Sequence, residues 1–348
     1  MSADDPQQVL RVTLDEVERV AGTGISPVPQ PSPGAKSYGN IAQPEAPVLA
    51  QQKGSILLQA WFYLGSAGLA GSLLGWGLAE RSFADGARDR WGNLWMVPMI
   101  VTLMCVGFAV AESLVERSGK KVLTRGALSL PLGIAFGFVF DALANTFYAV
   151  ALSICSAAGA QTFHNPAVWL ARGFAWAVFG AAGGIVYGIV GRSMKKTAFG
   201  VLGGTIGAVL GGTIFDPISF ATHGGAPSRA VGFGLLGLAT GIGMGLVENA
   251  LKDRWLYVTA GPLAGKQFIL YKPQTTIGSD QSCDIYLFKD PQIEADHAVL
   301  ELKASRIYLL AKGVAFVSGQ PVRGPQILES GAILQMGRYS FRYQEKER

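Results

Sequence analysis

A short loop near the C-terminus carries two acids and a histidine, within the stretch DIYLFKDPQIEADHAVLEL (284–302). Strand-like apolar runs flank the loop, and Glu294, Asp296 and His297 fall close together in it. Two carboxylates this close together repel an anion. The loop therefore predicts a binding edge that disfavours anions. The structural alternative is that the acids face solvent and the histidine satisfies buried backbone groups.

The composition places much of the chain in a membrane. Of its 348 residues, 49% are hydrophobic and 15% are charged, whereas about 25% charge is typical of soluble domains. Lys and Arg lie at the ends of the apolar runs, which argues against nucleic-acid binding as the reason for the net charge of +5. The cysteines and histidines show no metal-ligand spacing, so neither a metal nor a cofactor is expected.

Three domains are predicted: a Pro-rich flexible cytoplasmic tail over 1–50, a transmembrane domain over 51–252 and a β-rich domain over 253–348. The MSADDPQQ start lacks the basic and apolar regions of a cleavable signal peptide. Six segments have the length of roughly 20 residues that a helix needs to cross a bilayer. They are 55–79, 92–113, 123–144, 167–191, 198–219 and 229–249.

Basic residues predict how these segments are oriented. They cluster in the connections after the second, fourth and sixth segments, at Arg117, Lys120, Lys121, Arg125, Arg192, Lys195, Lys196, Lys252 and Arg254. The connection GAQTFHNP, between the third and fourth segments, has none. The positive-inside rule therefore predicts a multi-pass inner-membrane protein with both termini in the cytoplasm.

The membrane segments repeat. Residues 116–143 (ERSGKKVLTRGALSLPLGIAFGFVFDAL) align with 191–218 at a shift of 75, and 172–190 align with 229–247 at a shift of 57. The first segment aligns with the fifth at a shift of 136. A Gly-rich helical hairpin used three times explains these shifts, and its small residues mark close helix contacts. The extra residues of the second hairpin (about 145–160) predict a short outer helix or an interfacial loop.

The odd-numbered segments end in acids at their outer ends: Glu80, Asp141 and Asp216. Carboxylates in membrane segments often line a path for a solute, which is one interpretation. The other is structural pairing with Arg172 and Arg229, which begin the even-numbered segments. The outer position favours pairing, because a carboxylate there reaches water and headgroups easily.

Short β-branched and aromatic runs replace the membrane segments from Trp255 onward. Gly, Pro, Asp or Ser separates the runs, a pattern typical of an all-β sandwich of about 90 residues. The order of GPLAGKQFILYKPQTTIGS, DHAVL, VSGQPV and LESGAILQMG resembles a forkhead-associated (FHA) domain over about 255–345. The resemblance implies a sandwich that binds phosphothreonine peptides through loops at one end.

The scaffold positions of the FHA family match this sequence. By the resemblance, Gly278 ends a strand, His297 lies where the family's histidine supports the binding loops, and Gly337 closes the last turn.

The phosphate-contacting positions of the family differ. By the same resemblance, the family's arginine falls on Ser279, its phosphate-binding serine on Glu294, and its asparagine on Gly313 beside Lys312. Phosphopeptide pockets usually supply Arg and other strong donors, whereas Glu294 and Asp296 repel phosphate. We therefore expect a retained fold that contacts a protein partner without phosphate.

The sequence thus predicts a polytopic α-helical membrane domain followed by an FHA-like sandwich. Its predicted function is non-enzymatic: a membrane-anchored protein-interaction or scaffolding module in signalling, with a degenerate phosphothreonine site. Two alternatives stay open, a phosphothreonine-dependent membrane receptor and a channel or transporter regulated by the FHA-like domain. The expected partners are a protein, phosphorylated or not, and the lipid bilayer. Nucleic acid is not expected, and homo-oligomer formation is left open.

Overall fold

The computed structural model describes residues 49–84, 91–160, 162 and 164–346. The tail predicted over 1–50 lies outside these residues, apart from its last two. Six long helices are described: α1 (Ala60–Glu80), α2 (Trp91–Val115), α3 (Gly119–Ala157), α4 (Pro166–Val190), α5 (Met194–Ala221) and α6 (Gly225–Leu251). A short 3-10 helix, Ile56–Leu58, precedes α1.

The six helices form a closed ring. Each helix packs against its neighbours in chain order, and α6 returns to pack against α1. Phe108 of α2 is fully buried inside the ring, where it fills the space beside Gly68 of α1 and Gly183 of α4. The side chain leaves no room for a Cβ at either glycine. The centre of the ring is therefore filled at this level.

Five of these helices, α2 to α6, are long and apolar enough to cross a membrane. The predicted positions of the six segments agree with the helices. Helix α1 has 21 residues, among them five glycines at 65, 68, 71, 75 and 77.

Helix α3 differs from the prediction over about 145–160. It continues without a break to Ala157, which gives a helix of 39 residues and roughly 58 Å at 1.5 Å per residue. The stretch ALANTFYAVALSICSA after Asp141 contains neither Gly nor Pro, so nothing in it stops the helix. Gly159, with φ of 84°, follows the helix end in the left-handed conformation that glycine favours.

The turns between α2 and α3 and between α4 and α5 have the same geometry. Arg117 and Arg192 occupy the left-handed region with φ of 54° and 53°. The following serines, Ser118 and Ser193, cap the next helix by accepting a hydrogen bond from a backbone N–H three residues on. The repeat found in the sequence thus extends to backbone geometry.

The C-terminal domain is a β-sandwich of two sheets. One has the strand order β2 (Gln267–Ile269), β1 (Arg254–Ala260), β11 (Tyr339–Glu345), β10 (Ile333–Met336), β7 (Ala315–Val317) and β8 (Gln320–Pro321). The other has the order β4 (Ile285–Tyr286), β3 (Gln274–Gly278), β5 (Ala298–Lys303), β6 (Arg306–Ala311) and β9 (Gln326–Leu328). The β-branched and aromatic runs that follow Trp255 form β1 to β7, β10 and β11, whereas the sequence did not predict β8 and β9.

The core of the sandwich lies between the two sheets. Alternate residues of β11 and β5, such as Phe341 and Leu300, are buried against side chains of the opposite sheet. The strand-end loops at one end of this sandwich carry the predicted site residues.

Candidate functional site

Close glycine contacts join the helices at the positions that the repeat relates. A Cβ at Gly180 of α4 would lie 2.0 Å from the Gly204 carbonyl oxygen of α5, and a Cβ at Gly68 of α1 would lie 2.1 Å from the Gly237 carbonyl oxygen of α6. The shifts of 57 and 136 map the first pair of glycines onto the second. These contacts confirm that the Gly-rich faces are helix interfaces.

Two of the three outer acids form the predicted ion pairs. Asp216 Oδ2 lies 2.9 Å from Arg172 Nε, and Glu80 Oε1 lies 2.6 Å from Arg229 Nη2. The shifts of 57 and 136 relate these pairs too. The prediction of structural pairing is confirmed for Glu80 and Asp216.

The third acid, Asp141, has a different environment. Asp141 is related to Asp216 by the shift of 75, and the same shift relates the partner Arg172 to residue 97. That residue is a valine, Val97 on α2. The Asp141 carboxylate is instead hydrogen-bonded to Asn145, one turn further along α3. The third member of the repeat has therefore kept the acid without an equivalent of Arg172.

Backbone hydrogen bonds bring the predicted loop residues of the sandwich together. The Ser279 N–H donates to the Glu294 carbonyl oxygen at 2.9 Å, which joins the loop after β3 to the loop before β5. The N–H groups of Lys312 and Gly313 both donate to the His297 carbonyl oxygen, at 2.8 and 3.0 Å. The six predicted loop residues thus form one edge of the sandwich, which we call the loop edge: Ser279, Glu294, Asp296, His297, Lys312 and Gly313.

His297 connects the loops of this edge. The ring is fully buried; its Nδ1 accepts a hydrogen bond from the Glu294 N–H at 3.1 Å, and its Nε2 lies 3.1 Å from the Val314 carbonyl oxygen. Because Nδ1 accepts, the proton of a neutral imidazole is on Nε2 and is donated to Val314. The side chain therefore links two loops and has no free nitrogen for a ligand.

Gly313 packs directly on this histidine. A Cβ at residue 313 would lie 2.3 Å from the ring atoms Cε1 and Nδ1 of His297. An asparagine, the residue that the FHA resemblance places here, cannot enter unless His297 moves. The position of the His297 ring therefore excludes an asparagine at residue 313.

The charges of the loop edge are exposed and partly balanced. Glu294 is exposed, and no ion pair to it is found among the described residues. Asp296 is paired with Lys312. Asp290 is buried and accepts hydrogen bonds from the N–H groups of Gln292 and Arg338, so it stabilises a turn. Of the two acids of the loop edge, Glu294 is thus the one without an ion-pair partner among the described residues.

A second edge of the sandwich faces the helices and carries buried charge. We call it the membrane-facing edge. The centre of its contact with the helices is Glu116, just after α2. Its carboxylate lies 2.5 Å from Lys266 Nζ of the sandwich and 3.0 Å from Lys121 Nζ of α3, and the Glu116 and Lys266 side chains are only one to two per cent exposed. Lys121 Nζ also donates to the Asp284 carbonyl oxygen at 3.0 Å. A buried charge is poorly solvated without an oppositely charged partner, so removal of one of these ions destabilises the other.

A second group of polar side chains, one turn before Glu116 on α2, joins further helices of the ring. Glu112 of α2 lies 2.8 Å from Lys196 of α5 and 3.1 Å from Arg125 of α3. The Tyr271 hydroxyl of the sandwich donates to Glu248 of α6. Burial, together with the nearby carboxylate of Glu248, raises the pKa of Tyr271 well above its ordinary value, so this phenol is a hydrogen-bond donor throughout the physiological range.

The loop after β3 contacts the start of α3. Gln281 Oε1 accepts a hydrogen bond from the Lys120 N–H at 2.9 Å, one of the first N–H groups of the helix. On the other side of the domain, the Gln52 N–H donates to the Thr259 carbonyl oxygen at 2.9 Å. The segment before α1 therefore also lies against the sandwich.

Sequence reasoning missed the membrane-facing edge. Lys121 and Lys196 were used only as orientation signals, although the repeat places them at equivalent positions. The available signal was the pair of acids Glu112 and Glu116, one turn apart at the end of an apolar run. The partner of Glu116 in the sandwich could not be assigned from the sequence, because Lys266 lies 150 residues away.

The comparisons with known proteins concern the C-terminal part of the chain. Residues 257–347 match the family model described as the inner membrane component of T3SS (the type III secretion system), cytoplasmic domain. No curated protein matches the chain.

The sandwich matches FHA domains of known structure. The cytoplasmic domain of the T3SS sorting platform protein PscD from P. aeruginosa is 27% identical; the match covers 28% of this chain and 82% of that chain, with a TM-score of 0.25. The FHA domain of the CT664 protein from Chlamydia trachomatis is 22% identical, with 28% and 100% covered and a TM-score of 0.26. The N-terminal FHA domain from S. cerevisiae Rad53p, in complex with a phosphothreonine peptide, is 16% identical, with 27% and 94% covered and a TM-score of 0.26.

These findings agree with the prediction from the sequence. The chain combines apolar helices of membrane-spanning length with a C-terminal β-sandwich of two sheets. The sandwich is similar to the cytoplasmic domain of an inner-membrane T3SS component.

Proposed function

We propose that this protein is an inner-membrane scaffold, whose sandwich holds a protein partner at the cytoplasmic face without recognising phosphothreonine. The observation that carries the proposal is the buried carboxylate of Glu116, which pairs both with Lys266 of the sandwich and with Lys121 of α3. A freely tethered binding domain needs no such contact. A scaffold does, because it must present its partner at a fixed position relative to the membrane.

The family match supports the choice of partner class. The matched model describes a cytoplasmic domain of an inner-membrane T3SS component, which acts as part of a protein assembly in the membrane. We extend this to the present chain: its partner is another protein of a membrane assembly, rather than a small molecule or a nucleic acid.

The loop edge supports binding without phosphate. Glu294 stands exposed where a phosphate would need a donor, and the nearby cation Lys312 is already paired with Asp296. Gly313 is fixed against the His297 ring, so no asparagine side chain is present to hold a peptide backbone. An acidic edge of this kind suits a partner with a basic or neutral surface.

The proposed topology has both termini in the cytoplasm, with a tail over 1–50, membrane helices over 51–252 and the sandwich over 253–348. It can be tested by introducing single cysteines at His223, between α5 and α6, and at Lys346, in a variant whose three free cysteines, Cys105, Cys155 and Cys283, are replaced by Ser. A membrane-impermeant maleimide added to the outer side of the inner membrane should modify His223→Cys at once. It should modify Lys346→Cys only after the membrane is opened, and the reverse result would contradict the topology.

The helices are proposed to form a closed bundle rather than a transport path. Phe108 fills the interior beside Gly68 and Gly183, and Glu80 and Asp216 are paired with arginines. Ion or solute flux into liposomes that contain the protein should therefore equal that of empty liposomes. Flux that Asp141→Asn and Asp216→Asn abolish without unfolding would favour the channel alternative.

Partner capture tests the scaffold itself. Full-length protein crosslinked in its native membrane should retain a defined protein partner, and Glu294→Lys with Asp296→Lys should lose it. The matched control is Glu301→Lys with Glu329→Lys, which makes the same change of charge away from the loop edge and should keep the partner. Equal capture by both double variants would show that the loop edge is not the binding surface.

A further inference from the structure

A basic cavity lies between the membrane helices and the sandwich. Its volume is about 330 Å³, and its walls come from the start of α3, the turn between α4 and α5, and the sandwich. Five cationic side chains line it, against the single carboxylate of Asp284: Lys120, Lys121, Arg125, Arg192 and Lys272. No feature of the proposed scaffold function requires this concentration of positive charge.

The nearby carboxylates do not neutralise the cavity. Glu116 is shared between Lys121 and Lys266, and Glu112 between Arg125 and Lys196. Each of these acids therefore faces two cations. Asp284 is paired with Lys272 at 2.6 Å.

Two cations remain for a ligand. Lys120 and Arg192 are exposed, and neither forms an ion pair within the described part of the chain. Asp280 lies near Lys120 without forming an ion pair with it among the described residues, and its carboxylate accepts a hydrogen bond from the Ser282 N–H at 2.6 Å. The cavity therefore offers an anion two cationic side chains that no ion pair occupies, beside three further cations.

One wall of the cavity is apolar. Leu128 of α3 and Val190 of α4 line it below the charged residues, and Leu128 is 45% exposed. One and a half turns earlier on α3, Leu123 is 74% exposed. A ligand with a charged head and an apolar tail fits such a site better than a free inorganic ion does.

We propose that this cavity binds the phosphate of an anionic membrane lipid, with Lys120 and Arg192 as its direct contacts. Basic pockets between membrane helices on the cytoplasmic side have the right depth and charge for lipid headgroups. The Arg192 guanidinium can bind two phosphate oxygens at once, and the Lys120 ammonium adds a point charge. The bound lipid connects the turn before α5 to the start of α3, beside the sandwich loop that contains Gln281. This inference rests on the proposed cytoplasmic position of the two turns, which the cysteine labelling tests separately.

Native mass spectrometry of the full-length protein in maltoside detergent tests the proposal. Phosphatidylglycerol, phosphatidylcholine with the same acyl chains, and inorganic phosphate are each titrated against the wild type. Phosphatidylglycerol should bind at least roughly tenfold more tightly than phosphatidylcholine, and Lys120→Gln with Arg192→Gln should remove that preference. The control Lys53→Gln with Lys195→Gln changes the charge equally and should retain it.

The remaining outcomes also decide the proposal. Lys120→Arg with Arg192→Lys should keep the preference, which separates lost charge from damaged folding; thermal unfolding of each variant checks the fold. Equal lipid binding by the wild type and the Gln double variant would overturn the proposal. Binding of inorganic phosphate with no preference among lipids would also overturn it, in favour of a soluble phosphate ligand.

Discussion

The two edges of the sandwich differ in how far their charged side chains are exposed to solvent. The loop edge exposes its charges: Glu294 faces solvent, and Asp296 and Lys312 form a pair that is about half exposed on each side. The membrane-facing edge buries its charges, with Glu116 and Lys266 almost inaccessible to solvent. Ion pairs that are similar in type should therefore differ greatly in their contribution to stability.

This difference indicates which charges can be changed at little cost to stability. Glu294, Asp296 and Lys312 of the loop edge are exposed, so we expect their replacement to cost little, unlike that of the buried His297. Residues of the membrane-facing edge are tied to partners on three separate segments, so each change leaves a buried charge without its partner. The proposed binding edge and the edge that contacts the helices are thus separate in one small domain.

The largest expected effect is that of Glu116→Gln. The substitution removes the anion that Lys121 and Lys266 share and leaves buried positive charge, which should destabilise the attachment by about 3–5 kcal/mol. Thermal unfolding of the full-length protein in detergent should show a midpoint lower by roughly 6 °C or more. Glu301→Gln is the control, because the Glu301–Lys303 pair is exposed and should contribute at most about 1 kcal/mol. Similar unfolding midpoints for the two variants would contradict the claim that the buried ion pairs contribute more to stability than the exposed ones.

A smaller effect is expected from Gly313→Asn. The new side chain would collide with the His297 ring and displace its hydrogen bonds to the two loops. Overpacking of this kind typically costs about 1–3 kcal/mol. Chemical unfolding followed by Trp fluorescence would measure the loss. A stable variant that gains affinity for phosphothreonine peptides would show that His297 moves freely, contrary to the close packing described above.

The smallest effect is expected from Lys312→Ala. It removes the partner of Asp296 on an exposed surface, where ion pairs contribute between zero and about 1 kcal/mol. The unfolding midpoint should stay within about 2 °C of the wild type. A large fall would show that the loop edge is part of the structural core of the domain.

Much of the fold could be predicted from the sequence, because each signal was local or periodic. The runs that became β1 to β7, β10 and β11 carry β-branched and aromatic residues between turn residues. The constant shifts of 57 and 136 related helices that prove to pack in equivalent ways. The two-residue strand β8 and the three-residue strand β9 carried too short a pattern to detect.

The loop edge could be predicted only in part. The FHA resemblance placed Ser279, Glu294 and His297 on one edge, and the hydrogen bonds of the structure do bring them together. It could not indicate that Gly313 is fixed by contact with His297, since that contact depends on packing between loops. The contact of the membrane-facing edge with the helices was not predictable, because Lys266 of the sandwich lies 150 residues from Glu116.

The central claim, a loop edge that does not recognise phosphate, is tested most directly by a peptide titration. Phosphothreonine peptides and their unphosphorylated forms are titrated against the full-length protein in nanodiscs of zwitterionic lipid. We expect phosphorylation to change the affinity of the wild type by less than about tenfold, or 1.4 kcal/mol. Ser279→Arg with Glu294→Ser should create phosphate-dependent binding. Tight binding of a phosphothreonine peptide by the wild type, lost on dephosphorylation, would contradict the account.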